Sequence, residues 1–217
     1  MAATLDELTL ADDPRAWRDC GFEIDEGICA FDDVRIGFEP ERDGRGLVRW
    51  ALRGLDSLDL DGLPTVRSDR PLEPEDATAH PNGVASLDHV VAISSDLDRT
   101  VAALLAAGLD LRRVREEPTP AGAPRQAFFR LGEAILEVVQ EPREATEGAG
   151  GDRPAFFWGL AFTAPDIDAT AAYLGDRVGE VRPAVQPGRR IATLRRDAGL
   201  SLPVALITPP ASPAAGA

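Results

Sequence analysis

The sequence predicts an α+β fold in which two consecutive βαβββ units pair, preceded by a β-rich N-terminal segment. Two observations carry this. One is an internal repeat: Asp88 to Leu104 (DHVVAISSDLDRTVAAL) reappears as Trp158 to Leu174 (WGLAFTAPDIDATAAYL). Asp96, Asp98, Thr100, Ala102 and Leu104 recur as Asp166, Asp168, Thr170, Ala172 and Leu174, and Val90 and Leu97 match Leu160 and Ile167. The other is that each copy is followed by three short strand-like stretches. A repeated unit that cannot bury its own apolar face is expected to pair with its neighbour.

Each copy opens with a short apolar strand, breaks at polar residues, and enters an amphipathic helix. In the first, Ser95 or Asp96 caps the helix and Asp98 places negative charge in its opening turn. Leu97, Val101, Leu104 and Leu105 fall on one helical face, and Gly108 supplies a left-handed stop. In the second, Pro165 and Asp166 open the helix, and Ile167, Ala171, Leu174 and Val178 form the apolar stripe.

Strands are expected at 109–115, 126–131 and 133–140 after the first helix, with a tight turn at Gly132-Glu133. After the second they are expected at 180–185, 190–195 and 202–208. The closing segments LEVVQEP (from Leu136) and VALITPP (from Val204) correspond. The first unit therefore spans 85–142 and the second 155–210, joined by an exposed connector at 143–154 and followed by a tail at 211–217.

Residues 1–67 are less regular. Pro14 to Cys20 reads as a short helix carrying Trp17, and strands are expected at 22–24, 27–31, 34–38 and 47–52. This is either a degenerate copy of the unit lacking its opening strand or an unrelated extension. Residues 68–84, rich in Pro, Asp and Glu, read as a linker in which His80 is exposed and idle.

Composition narrows the function classes. The chain has 217 residues, 44% hydrophobic and 28% charged, enough to bury a core without staples. Its net charge of −14 lacks the basic stripe that nucleic-acid binding requires. All 23 basic residues are arginine, a bias that reads as genome composition. No apolar run approaches the roughly 18 residues of a membrane span, and the acidic N-terminus lacks signal-peptide features. A cytoplasmic location is the expectation. Cys20 and Cys29, without metal-ligand spacing, read as small buried hydrophobes.

LDHVV at Leu87, a helix after a short break, and ILEVV at Ile135 closing the unit together resemble the vicinal oxygen chelate superfamily, which includes glyoxalase I, bleomycin-resistance proteins and extradiol dioxygenases. The resemblance covers about 85–210. It implies that two units join curved sheets into a cup, with metal ligands drawn from the first and last strands of both halves. Carried over, His89 matches the opening histidine and Glu137 the closing glutamate. In the second unit these positions hold Gly159 and Ala205, so half the ligand set is missing. A catalytic divalent ion usually needs three or more protein ligands.

His89 and Glu137 are therefore the candidate catalytic residues and an incomplete candidate metal pair. A bland reading stands beside these: His89 is simply hydrogen-bonded to Glu137. If they touch, the carboxylate would fix the imidazole's tautomer and make it a candidate general base. Strand alternation puts Val91, Ile93, Ile135 and Val139 on the cup face. Phe128 and Phe129 point opposite ways, and Phe128 is assigned to the cup. Gly159 and Ala205 would widen it, one member of the Arg189-Arg190 pair, assigned as Arg190, would meet an anionic group unless the pair is only a solvated strand end, and Trp158 would face away. Gly159, Ala205 and Arg190 complete the candidate substrate contacts.

The reading is a protein that binds a small apolar or aromatic molecule in its cup without a complete metal site. The alternative is a metal-dependent lyase, isomerase or dioxygenase using His89 and Glu137, with further ligands from substrate or from a homodimer that pairs first units. A scaffold role is the third possibility. The cofactor is unknown; a divalent metal is not expected at full occupancy. The expected partner is a small molecule, with no nucleic acid and no membrane.

Overall fold

The computed structural model describes residues 3–31, 33–40, 45–69, 77–119, 122–148 and 151–210. The tail expected at 211–217 lies outside the described residues, as does part of the 68–84 segment.

The first unit runs β6 (Ser86–Ser94), α2 (Leu97–Ala106), β7 (Asp110–Arg115), β8 (Gln126–Leu131) and β9 (Ala134–Gln140). The second runs β10 (Phe156–Thr163), α4 (Ile167–Leu174), β11 (Arg182–Pro183), β12 (Arg190–Thr193) and β13 (Val204–Ile207). They form one eight-stranded sheet in the order β11-β12-β13-β10-β6-β9-β8-β7. Its centre is the antiparallel pair β6/β10. On each side the opening strand pairs in parallel with its unit's last strand, β6 with β9 and β10 with β13. A parallel pair needs a crossover connection, which the helix and two further strands supply.

Both helices start as the repeat dictates. Asp96 and Asp166 cap them, each side chain accepting from the backbone N–H three residues on. Leu97 and Leu104 are buried on α2 and Ile167 and Leu174 on α4. Leu105, expected in the α2 stripe, is 48% exposed, and Thr100 is buried instead. Thr100 satisfies its hydroxyl by bonding Asp61 and the Asp96 carbonyl, so burial there costs little.

The N-terminal segment contains β1 (Thr4–Leu10), α1 (Pro14–Asp19), β2 (Ile28–Ala30), β3 (Arg35–Phe38), β4 (Leu47–Arg53) and β5 (Thr65–Arg67). The opening strand expected to be missing is thus present. A register irregularity between Leu5 and Glu7 breaks its alternation, leaving Leu5, Leu8 and Leu10 buried at uneven spacing. The sheet order is β2-β3-β1-β4-β5. Its centre is an antiparallel pair, β1/β4, flanked by the parallel partners β3 and β5. It is a shortened version of the larger sheet's plan. Residues 22–24 form no strand; Phe22 and Ile24 instead plug the core.

The two sheets share one hydrophobic core. Phe162 of β10 meets Phe22, Phe31 and Trp17 at ring separations of 5.1, 5.5 and 6.1 Å, and Phe157 meets Trp50 at 5.0 Å. Burial raises both thiols, Cys29 to about 12, so both stay protonated and inert.

His80 is not exposed. It is buried, its Nδ1 accepts the Glu23 N–H at 3.1 Å, and its ring lies 4.5 Å from Phe31. Nearby, Asn82 Nδ2 donates to the Cys20 carbonyl at 2.9 Å. These residues of the expected linker are packed because they fasten the chain just ahead of β6 to Cys20, Phe22, Glu23 and Phe31. The expected connector loop also differs: α3 (Arg143–Gly148) occupies it.

Candidate functional site

One face of the eight-stranded sheet packs on the helices and the N-terminal sheet; the other bounds a cavity of about 950 Å³. Alternation along β6 sends Val90 and Ala92 into the core and leaves His89, Val91 and Ile93 lining the cavity. On β9, Leu136 and Val138 are core, while Glu137 and Val139 line the cavity. Gln126 and Phe128 of β8 complete that wall, and Phe129 is fully buried beneath.

At the floor, His89 Nδ1 lies 2.7 Å from Asp88 Oδ1, and His89 Nε2 lies 3.5 Å from Glu137 Oε2. Burial works to raise the Asp88 carboxyl, but hydrogen bonds from His89 and Arg189 overcome it and hold the group below its usual value. Asp88 is therefore ionised and accepts only, so Nδ1 carries the proton toward it. That fixes the ring and turns Nε2 toward the cavity. The His89 and Glu137 side chains are 13% and 14% exposed. Burial pushes the Glu137 carboxyl up and the nearby Asp88 carboxylate adds to this; His89, the Gln126 amide and Arg113 oppose it without cancelling it. The Gln126 amide donates to Glu137 Oε1.

In the second half of the cup no His, Asp or Glu lines the cavity among the described residues; the lining is mainly apolar, with Arg182, Gln186 and Thr193 as its polar members. Val91 pairs with Glu137 across β6/β9, and Ala161 pairs with Ala205 at the mirror position across β10/β13. His89 sits opposite Ala161 and Gly159 opposite Val91, which confirms that Gly159 mirrors His89. Gly159 does not widen the cup: a Cβ there would lie 2.7 Å from the Pro203 carbonyl oxygen, so close backbone approach requires glycine.

Of the expected contacts, Val91, Ile93, Phe128, Val139 and Ala205 line the cavity with His89 and Glu137, whereas Ile135, Gly159 and Arg190 do not. Ile135 shares the face of Glu137 and pairs with His89 across β6/β9, but it does not line the cavity. Arg190 is on the outer surface, paired to Asp168 at 2.7 Å. Its neighbour Arg189 holds Asp88 and the Thr208 carbonyl. Trp158, expected to face away, lines the mouth, because a register irregularity between Phe157 and Gly159 breaks alternation. Arg113, Arg115, Gln126 and Arg182 also line the cavity, outside the contacts expected from the sequence. The alternation Arg113, Arg115 on β7 was the available signal.

The ligand set that the resemblance implies does not fit these residues. His89 and Glu137 offer two donors, their mirror positions Gly159 and Ala205 offer none, and no group of three His, Cys, Asp or Glu that could hold a metal occurs among the described residues. Nor does pairing of first units between two chains supply the rest, since β6 already has β10 on one edge and β9 on the other.

A sheet of two paired βαβββ units curled round a cavity defines a class of small-molecule cups. The model of the Glyoxalase/Bleomycin resistance protein/Dioxygenase superfamily matches residues 86–200, and the chain belongs to that superfamily. A xylose isomerase-like TIM barrel/4-hydroxyphenylpyruvate dioxygenase fusion protein matches 98% of this chain at 14% identity and a TM-score of 0.60, with 50% of that chain covered. That likeness, in fold alone, extends over the N-terminal sheet. Methylmalonyl-CoA epimerase from Mycobacterium tuberculosis matches 60% of this chain and 91% of its own, at 19% identity and a TM-score of 0.48. A Streptomyces coelicolor methylmalonyl-CoA epimerase matches 59% and 99%, at 26% identity and a TM-score of 0.48. No curated protein matches the sequence. No helix among the described residues is long and apolar enough to cross a membrane.

Proposed function

We propose that the chain binds a small, largely apolar or aromatic molecule in this cup and holds a polar group of it between His89 and Glu137. One observation carries the reading. His89 Nε2 and the Glu137 carboxylate, 3.5 Å apart, are turned into a cavity of about 950 Å³ whose second half is faced by Ala161, Ala205 and Ile207. That volume suits a compact organic molecule, and few polar groups on apolar walls are what fix such a ligand's orientation.

A second reading, proton transfer to or from the bound molecule, is favoured by the Asp88 contact to His89 at 2.7 Å. It leaves Nε2 available to take a proton from a group bound at the floor, and Glu137, its carboxyl raised, available to return one. No step in either reading passes through a metal.

The test is a melting screen of the metal-stripped protein against small aromatic and aliphatic compounds, with elemental analysis of the protein as purified. Stabilisation by some compound, lost in His89→Ala, is the expected result. One tightly held divalent ion per chain, removed by His89→Ala, would replace the reading with a metal-dependent one.

A further inference from the structure

Resting on that reading, we infer that the molecule taken by the cup is an organic oxyanion: an apolar body carrying a carboxylate or phosphate group that is held by Arg113, Arg115 and Arg182 on the sheet's two end strands. β7 and β11 are the two end strands of the eight-stranded sheet, and the sheet's curl brings both to the same cavity. Arg113 and Arg115 lie on β7, and Arg182 opens β11. All three line the cavity, and among the described residues none has a carboxylate partner within ion-pair distance.

The charge balance makes this informative. The chain carries 37 acidic and 23 basic residues. Around the cavity the ratio reverses: the three arginines face only Glu117 and Glu137 as acidic lining residues. Of these, Glu137 lies at the floor, raised toward its neutral form by burial. The cup thus carries cations on both end strands of its sheet, with Arg113 in the same cross-strand row as Phe128 and Glu137. Guanidinium groups match carboxylate and phosphate oxygens in pairs, and partial removal from water strengthens the match.

Arg113 is further prepared for this task. Its guanidinium carbon lies 4.9 Å from the centre of the Phe128 ring, which orients the charge without neutralising it. The same Phe128 and the half-exposed Trp158 at the mouth offer flat apolar surface for the ligand's body. Arg189 and Arg190 do not serve here because Asp88 and Asp168 already occupy them.

The experiment titrates the protein with 2-naphthylacetate, 2-naphthyl phosphate and the uncharged 2-naphthylacetamide, following heat of binding by titration calorimetry and melting temperature. At least one of the two anions is expected to bind about tenfold or more tightly than the amide, with the margin shrinking at high salt. The tighter anion identifies the group preferred. In Arg113→Gln/Arg115→Gln/Arg182→Gln the advantage over the amide is expected to disappear. Equal binding of all three probes, or an advantage that survives in the triple variant, overturns this inference and leaves cup binding standing. Failure of all three to bind overturns both.

Discussion

His89 and Glu137 meet across the diagonal of a parallel strand pair, their polar atoms 3.5 Å apart at the floor of the cup. Asp88, on the other side of the imidazole, is itself clamped by Arg189 from the strand end of the second unit. The charged floor is therefore assembled from both halves of the repeat, although its cavity-facing acid and base come from the first. Such an array is expensive to bury, and its stability consequences are measurable.

Glu137→Gln is expected to stabilise the protein at pH 7, raising the melting temperature by about 2–4 °C. The sign follows from the raised carboxyl. A native value above the ordinary 4.5 favours the protonated form. Its stability contribution is complete below about pH 4.5 and is lost as pH rises through the native value. The gain from the amide should therefore shrink as melts are moved from pH 7 to pH 4. A lower melting temperature for the variant at pH 7 would contradict the assignment of Glu137 as a destabilised, site-specific carboxylate.

His80 gives the opposite pH dependence. Burial lowers its basicity from the ordinary 6.5, so the native state favours the neutral ring that accepts the Glu23 N–H. Stability from this group is present above about pH 6.5 and is lost as pH falls through the native value. His80→Gln keeps an acceptor for that N–H and removes the titration. Denaturant melts at pH 7.5 and pH 5 should show a smaller acid loss in the variant than in the native protein.

Asp12 joins distant parts of the chain. It accepts the Trp17 indole N–H at 2.9 Å and the Ser201 N–H at 3.3 Å, and Ser201 Oγ accepts the Gly46 N–H at 2.6 Å. Asp12→Ala strands a fully buried indole donor, a loss of about 1–3 kcal/mol. Urea unfolding monitored by tryptophan emission measures it, and Asp12→Asn should recover part of the loss.

Gly159→Ala should destabilise the chain by about 1–3 kcal/mol, because the added methyl meets a backbone carbonyl rather than a movable side chain. Thermal unfolding of the variant checks this. The same crowding means that placing a histidine at 159 would not simply rebuild a symmetric ligand set.

Much of the architecture was legible in the chain because it is encoded by local periodicity. The repeated Asp caps, the helical spacing of Leu97 and Leu104 or Ile167 and Leu174, and the alternation around His89 and Glu137 each depend on neighbours a few residues away. The missing second pair of ligands was equally readable, since register follows from repeat alignment. What misled was any place where alternation slips. Irregularities in β1 and β10 hid the opening strand of the N-terminal sheet and turned Trp158 into the mouth.

The sequence by itself determined the two βαβββ units, their order and the one-sided placement of histidine and glutamate, all set by short-range pattern. Only the tertiary structure decided which arginines face the cavity, that His80 is buried between two phenylalanines, and that Gly159 is held by Pro203. These depend on which distant strands come to lie beside one another as a sheet curls, and no window of neighbouring residues contains that information.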